Sequence, residues 1–161
     1  MKKLIFVLMV FALANAACNN KCCFLPKVPA YIRAQKDSVQ WEANPSASTI
    51  RNDTITIIGK TENPGALQET LEIKIKNRGS GVYILLNNET FYYTTAGLST
   101  PVFRRSLDSL FANSVNVFFY DPASGALAGS FNLKFMYPAM PSGSTRDIAF
   151  LNGSFNLVLR K

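Results

Sequence analysis

The chain has 161 residues and a formal charge of +7; 48% of its residues are apolar, 17% are charged and none is histidine. This length and composition predict one globular domain and exclude a disordered or solvating chain. Without histidine, the chain has no Ser-His-Asp or Cys-His nucleophilic site and no histidine-ligated metal, so we expect neither a cofactor nor a metal centre.

The N-terminus has the organisation of an export signal. Lys2 and Lys3 precede the apolar run Leu4–Leu13, and Ala14-Asn15-Ala16 supplies small residues for a signal peptidase. Ten helical residues, at about 1.5 Å each, cannot span a hydrocarbon core of about 30 Å. We therefore predict that residues 1–16 are a cleaved signal peptide and that the protein is exported.

All three cysteines follow this signal closely, at Cys18, Cys22 and Cys23. Since the rest of the chain has no cysteine, no disulfide can cross-link the core, and a zinc site is not expected. Ala16-Ala17-Cys18 fits the end of a bacterial lipobox, although Asn15 replaces the usual apolar residue. Either Cys18 is acylated and anchors the protein in the outer membrane, or the protein is soluble in the periplasm or secreted.

Positive charge is concentrated before the predicted domain. Residues 17–36 contain four basic residues and no acid, whereas Asp37–Lys161 has 11 basic and 10 acidic residues. A nucleic-acid-binding domain needs a basic patch of its own, so nucleic acid is not an expected partner. We predict that residues 17–36 are a tether, either drawn to anionic lipid head groups or simply solvated, and that residues 37–161 are one domain.

From Ser38 onward the sequence has the pattern of short strands separated by turns. Leu71–Lys76 is the clearest strand, because Leu71, Ile73 and Ile75 alternate with charged residues. Further strands are predicted at Ser38–Ala43, Thr54–Ile58, Gly81–Leu86, Thr90–Thr94, Ser114–Tyr120 and Ala126–Tyr137. Turns are predicted at Asn52-Asp53, Glu62–Leu67, Asn77–Ser80 and Asn87-Asn88.

Two regions are harder to assign. Ala96–Ala112 fits either a helical turn near Leu110 or an edge strand from Val102 to Leu107. Near the C-terminus, Asn152-Gly153 between two alternating stretches predicts a β-hairpin. The sequence Gly-Ser-Phe-Asn-Leu occurs at both Gly129–Leu133 and Gly153–Leu157, which we interpret as two strands that begin with the same turn chemistry.

These elements predict nine or ten hairpin-connected strands and no βαβ rhythm, so a parallel sheet is not expected. The predicted fold is all-β, an antiparallel β-sandwich, with a closed up-and-down β-barrel as the alternative.

Several short patterns in this region point to a known family. They are Trp41-Glu42-Ala43, Thr54–Ile57 followed by Gly59, Gly81–Leu85, Val117–Asp121 and the two GSFN segments. From about Ser38 to its C-terminus the chain resembles a domain family of unknown function found in exported lipoproteins of the Bacteroidota. The resemblance implies an exported, often lipid-anchored all-β domain, and it brings no catalytic residues.

Aromatic residues supply the main candidates for a binding surface: Trp41, Tyr92, Phe118 and Tyr120. A half-exposed sheet should have one polar face, yet consecutive aromatics occupy both faces of two predicted strands. Either both faces are covered, or an aromatic patch is open to a ligand or partner. Arg104 and Arg105 are either a solvated pair or a contact for an acidic sugar or a partner's carboxylates.

The leading functional hypothesis is a non-catalytic cell-envelope binding or accessory module that contacts a partner protein, a glycan or a small apolar ligand. One alternative is a structural envelope component that assembles through sheet edges. Another is a hydrolase with paired carboxylates, such as Asp37 with Glu42 or Asp108 with Asp121. An internal cavity would favour an apolar ligand, a filled core with an exposed apolar face would favour a protein partner, and a cleft with two facing carboxylates would favour an enzyme.

Overall fold

A computed structural model describes residues 29–61, 67–86, 90–96, 100–136 and 147–161. These residues form eleven β-strands. No helix in this part of the chain is long and apolar enough to cross a membrane. The predicted signal peptide, the three cysteines, residues 62–66 of the predicted Glu62–Leu67 turn and the Asn87-Asn88 turn lie outside the described residues.

The strands have the following bounds. They are β1 (Tyr31–Lys36), β2 (Val39–Pro45), β3 (Thr49–Arg51), β4 (Thr54–Lys60), β5 (Gln68–Lys76), β6 (Gly81–Ile84), β7 (Thr90–Ala96), β8 (Thr100–Leu107), β9 (Ser114–Tyr120), β10 (Ala126–Met136) and β11 (Ile148–Val158).

Eight of these strands close into an antiparallel barrel in the order β1-β2-β4-β5-β7-β8-β10-β11, and β11 pairs back with β1. The short strand β3 pairs with β4 outside this path, while β9 and β6 continue the sheet from β10. The all-β antiparallel prediction is confirmed. Of the two predicted architectures, the closed barrel is the one that forms, since the ladder returns to its first strand and the described strands form no second sheet.

The barrel begins six residues before the predicted domain boundary. Strand β1 lies in the segment assigned to the tether, and it pairs with both β2 and β11. Its inward residues Ile32 and Ala34 are buried, whereas Arg33 is exposed and its guanidinium lies 3.9 Å from the Tyr31 ring centroid. The basic composition of residues 17–36 was interpreted as a tether. It does not exclude a strand, because the outward positions of a barrel strand can carry charge without affecting the core.

Aromatic rings occupy much of the barrel interior. Phe131, Phe135, Phe150 and Phe155 are buried to 2% exposure or less. Phe150 contacts Trp41, Tyr92 and Phe135 with ring centroids 5.1, 5.2 and 5.8 Å apart. These separations are typical of favourable edge and tilted aromatic pairs, so the rings form one packed cluster that ties β2, β7, β10 and β11 together.

The predicted C-terminal hairpin does not form. Ile148–Val158 is one continuous strand, and Asn152, with a φ of 51°, lies where its pairing with β10 shifts register. Asn-Gly therefore marks a β-bulge here, because both residues lie within a ladder to β10 and not between two strands that pair with each other. The Asn52-Asp53 turn is confirmed between β3 and β4, where both residues have positive φ.

The ambiguous Ala96–Ala112 region contains strand β8 up to Leu107, followed by a turn. Asp108 holds this turn through its carboxylate, which accepts a hydrogen bond from the Leu110 backbone N–H at 2.9 Å. The buried Asn113 side chain closes it by donating to the carbonyl oxygens of Asp108 and Phe111. Local side-chain hydrogen bonds thus replace the helical turn that the spacing of leucines suggested.

Candidate functional site

The six candidate surface residues do not form one patch. Trp41 and Tyr92 are buried in the barrel, while Phe118 is exposed on β9 and Tyr120 packs partly against the core. Cys18, the candidate lipidation site, lies outside the described residues. Trp41 and Tyr92 therefore do not form an open aromatic surface, because both rings complete the aromatic cluster inside the barrel.

Arg104 and Arg105 also separate. The Arg104 guanidinium lies 3.6 Å from the Phe91 ring centroid on the exposed side of β8. Arg105 is half-buried and close enough to Tyr92 for its positive charge to lower the pKa of that phenol. Successive residues of a strand point to opposite faces, so the doublet is not a single basic contact surface.

Trp41 and Tyr92 belong to a polar cluster that the sequence reading missed. The Trp41 indole N–H donates to Glu69 Oε2 at 2.6 Å, and the Lys36 ammonium forms an ion pair with the other Glu69 oxygen. The same ammonium donates to the Tyr92 hydroxyl at 3.3 Å. Glu69 lies on the inward face of β5 together with Leu71 and Ile73. A carboxylate at an alternating position otherwise occupied by core residues could therefore have indicated this cluster from the sequence.

Burial is the main cause that raises the pKa of Tyr92, and the adjacent Glu69 carboxylate raises it further. The phenol therefore stays protonated, and the cluster consists of a neutral hydroxyl beside a Lys36–Glu69 ion pair. Both oxygens of Glu69 are engaged by Lys36 and Trp41. This arrangement satisfies the buried polar groups, which is what holds such a cluster together.

A cleft of about 270 Å³ lies beside this cluster and is lined by Lys36, Val39, Gln40, Trp41, Glu42, Thr61 and Glu69. It opens where β2 leaves β4, since these strands pair only at Asn44–Lys60 and Pro45–Gly59. Two carboxylates line the cleft, but Glu69 is held by its two partners. The cleft is thus a gap in the barrel wall between β2 and β4, with the Lys36–Glu69 ion pair at its side.

Asp108 and Asp121, one of the two carboxylate pairs considered for the hydrolase alternative, each make separate local contacts. Asp108 binds the Lys134 ammonium at 3.0 Å, and Lys134 binds Asp147 at 2.9 Å. Asp121 accepts hydrogen bonds from Ala123 and Ser124 in its own turn. Among the described residues, no three Asp, Glu, Cys or His side chains are grouped in a way that could hold a metal ion.

The exposed aromatic residues lie on β9, where the strand contains a β-bulge. Ala128 on β10 is opposite Phe119 and Gly129 is opposite Val117, so Phe118 is the extra residue. Such a bulge changes the alternation of side chains, and both Phe118 and Phe119 point to solvent with 61% and 54% exposure. Of the two alternatives for the aromatic strands, an exposed aromatic face occurs at Phe118, and Phe119 is exposed beside it.

Strand β6 extends this exposed surface. Val82 and Ile84 are opposite Asn116 and Ser114 of β9, so their side chains share a face with Phe118, two residues along from Asn116. Val82, Ile84 and Leu86 are each at least 66% exposed, while Tyr83 and Leu85 face the core. We call the exposed surface formed by Val82, Ile84, Leu86, Phe118 and Phe119 the wing face. Periodicity predicted the strand but not which of its faces would be covered.

Comparison of the chain with known proteins found a match to a family model. No curated protein and no solved structure matches the chain. A family model described as a domain of unknown function, DUF6252, matches residues 29–158, which includes all eleven described strands from β1 to β11. Since the match spans most of the sequence, the chain belongs to the DUF6252 family.

Proposed function

We propose that the protein is a non-catalytic cell-envelope module that is tethered by its N-terminus and binds a protein partner through the wing face. The observation that carries this proposal is an apolar face exposed over an interior packed with aromatic rings. An occupied interior does not favour an apolar ligand inside the barrel. A contiguous exposed apolar patch, in contrast, is typical of a protein interaction site.

The residues of the wing face are suited to this role energetically. Burial of a phenylalanine or leucine side chain contributes about 1.5–3 kcal/mol, and Phe118 and Phe119 lie next to each other at the bulge. Aromatic residues that become desolvated at the centre of an interface commonly supply most of its binding energy. Ser114 and Asn116 lie on β9 beside these apolar side chains, opposite Ile84 and Val82, and give the patch polar groups that can hydrogen-bond to a partner.

The tether is the second part of the proposal. We propose that Cys18 is acylated and that the protein is an outer-membrane lipoprotein of the kind found in the Bacteroidota. The chain from Cys18 to Tyr31 is about 13 residues long and reaches at most about 45 Å when extended. A single acyl chain binds membranes only weakly, so the diacyl or triacyl modification of a lipoprotein would be needed for stable anchoring.

A photo-crosslinking experiment tests the wing face. A photoreactive amino acid replaces Phe118 in the full chain, which is expressed with its own export signal. The matched control places the same group at Val39, which is 68% exposed and apolar but lies on β2, away from the wing. Protein adducts at Phe118 and not at Val39 support the proposal. Adducts at neither position, adducts at both, or adducts only to lipid or glycan contradict it.

A further inference from the structure

We infer that the free edge of β6 accepts an extended, acidic segment of the partner protein as an added β-strand. This inference deepens the proposed function and rests on it. Among the described strands, β6 stands at the end of the sheet order with β9 as its one ladder partner. An unpaired strand edge is a template for main-chain pairing, and strand addition is a recurrent mode of peptide recognition.

The register of β6 shows which backbone groups face this edge. The Leu85 backbone N–H donates to the Asn113 carbonyl at 3.0 Å, so Leu85 points its main-chain groups towards the β9 side. Hydrogen-bonded and non-hydrogen-bonded residues alternate along an antiparallel pair. Tyr83 therefore also pairs towards β9, whereas the N–H and C=O groups of Val82 and Ile84 point away from it. Those four groups are the ones that an added strand would bind.

A groove of about 340 Å³ runs along this edge, and its lining is Ile75, Lys76, Arg78, Val82, Tyr83, Ile84, Leu85 and Leu86. Its far wall is the end of β5, past the last described pair of the β5–β7 ladder, Ile73 with Thr90. The groove is thus bounded by strand backbone on two sides. The apolar side chains of Ile75 and Leu85 form its floor, and those of Val82 and Ile84 lie along its outer rim.

The charge of the groove defines the chemistry of the segment. Lys76 and Arg78 line it, and none of the described lining residues is a carboxylate. Neither cation forms an ion pair with another described residue, in contrast to Lys36, Lys74 and Lys134. Carboxylates pair well with lysine and especially with arginine, so the segment would carry Asp or Glu at the end that lies near Lys76 and Arg78.

The side chains of the groove define the remainder of the segment. An added strand projects alternate side chains to opposite faces, towards Ile75 and Leu85 on one side and towards Val82 and Ile84 on the other. We therefore expect apolar residues at alternating positions beside the acidic residue. Because β6 has four residues, the pairing would cover a similarly short stretch of the partner.

The test uses a displayed library of random twelve-residue peptides and the full chain. We expect selected peptides to contain Asp or Glu together with alternating apolar residues. The best of them is then synthesised as the probe, and its dissociation constant is measured for each variant. Hydrogen exchange at the Val82 and Ile84 amides should slow in the complex, because these amides would become donors to the peptide.

Ile84→Pro is the decisive variant. Proline removes an N–H that points away from β9, so the β6–β9 ladder keeps its bonds and the melting temperature should change little. Peptide binding should weaken by about tenfold or more. Ile84→Thr is the matched control for this position, since it keeps the N–H and loses only apolar surface, and it should weaken binding less.

The charge is tested separately with the double variant Lys76→Glu/Arg78→Glu. Binding of the acidic probe should fall by about tenfold or more, and a lysine-substituted peptide should now bind better. Arg160→Glu is the control, because its exposed side chain is not part of the groove lining. Loss of binding in this control as large as in the double variant would overturn the electrostatic part of the inference.

Other outcomes also contradict the inference. Selection of no peptide, selection of basic peptides, or equal affinity of the wild-type and Ile84→Pro proteins would exclude strand addition of an acidic segment. If the chain self-associates and Ile84→Pro abolishes this self-association, the β6 edge binds a second copy of the chain and not a partner protein. If Phe118 still crosslinks to a protein in the Ile84→Pro variant, the proposed function stands and only strand addition at β6 fails.

Discussion

Phe131 covers Gly153 across the β10–β11 ladder, and this contact is repeated in reverse by Phe155 over Gly129. The register places Phe131 opposite Gly153 and Gly129 opposite Phe155, with the two rings stacked at 6.5 Å and 20°. A Cβ atom at Gly129 would lie 2.5 Å from Phe155 Cζ, and one at Gly153 would lie 2.5 Å from Phe131 Cδ2. The repeated Gly-Ser-Phe segments are therefore two halves of one reciprocal contact, and not copies of a turn.

Gly153→Ala should destabilise the domain by about 2–3 kcal/mol, since the added methyl must displace the buried Phe131 ring. Chemical denaturation with a two-state fit measures this change. The double variant Gly153→Ala/Phe131→Leu should lose less than the sum of the two single variants, because the smaller side chain makes room for the methyl. Additive losses would show that the two residues do not contact each other in the way described.

Glu69→Gln should destabilise the domain by about 1–2 kcal/mol, because Lys36 then lacks an anionic partner. Both side chains are partly exposed, so the loss of stability should be smaller than for a fully buried ion pair. The control on the same strand is Glu72→Gln, which breaks an outward-facing ion pair with Lys74 and should change stability by less than about 1 kcal/mol. Trp41 is the only tryptophan, so a change in its fluorescence reports directly on the cluster. Equal losses in both variants would argue against a special role for Glu69.

Tyr92 should make the domain sensitive to alkaline pH. The pKa of Tyr92 is raised in the folded protein, so the folded state resists deprotonation of this phenol. In the unfolded chain the phenol has the ordinary tyrosine pKa of about 10, so the full free energy of unfolding is kept only below that pH. Stability should then fall as the pH rises above 10. Tyr92→Phe should flatten this alkaline decline in denaturation curves measured between pH 8 and 11.

Phe118→Ser should leave stability within about 0.5 kcal/mol of the wild type, because the ring is exposed. The same variant should remove most of the partner binding attributed to the wing face. Phe135→Ser provides the contrast, since the loss of a ring buried in the interior should destabilise the domain by about 3–5 kcal/mol. A large loss of stability in Phe118→Ser would mean that this ring supports the fold.

Cys18→Ala should abolish membrane association if Cys18 is acylated. Intact mass of the membrane-fraction protein should correspond to an acylated chain that begins at Cys18, and the variant should appear in the soluble fraction. An unmodified chain that begins at Ala17 would contradict the lipid anchor, and the protein would then be soluble in the periplasm or secreted.

The strands themselves were largely predictable, because alternation of apolar and polar residues follows directly from which side chains face the core. Leu71, Ile73 and Ile75 are buried as predicted, and Asn52-Asp53 forms a turn. Errors arose where one strand's conformation depends on its neighbour. The Asn152-Gly153 pair was assigned to a hairpin because a bulge and a tight turn use the same residues, and only the partner strand distinguishes them.

The same distinction between local sequence patterns and long-range contacts applies to the candidate site. Of the candidate aromatic residues, Phe118 is exposed whereas Trp41 and Tyr92 are buried. Aromatic composition does not tell whether a ring faces an open surface or the interior of a barrel. The Lys36–Glu69 pair escaped notice because its members lie 33 positions apart in the chain. Long-range pairs of this kind form only when non-adjacent strands are brought to the same end of the barrel.

By itself, the sequence determined an antiparallel all-β domain, most of its strand positions and several of its turns, since these depend on local alternation and backbone preference. The tertiary structure decided the closure of β11 onto β1, the reciprocal Phe–Gly contacts and the free edge of β6. These features depend on register between strands that are distant in the chain. A shift of one residue in that register would exchange the buried and exposed faces, including the wing face on which the proposed function rests.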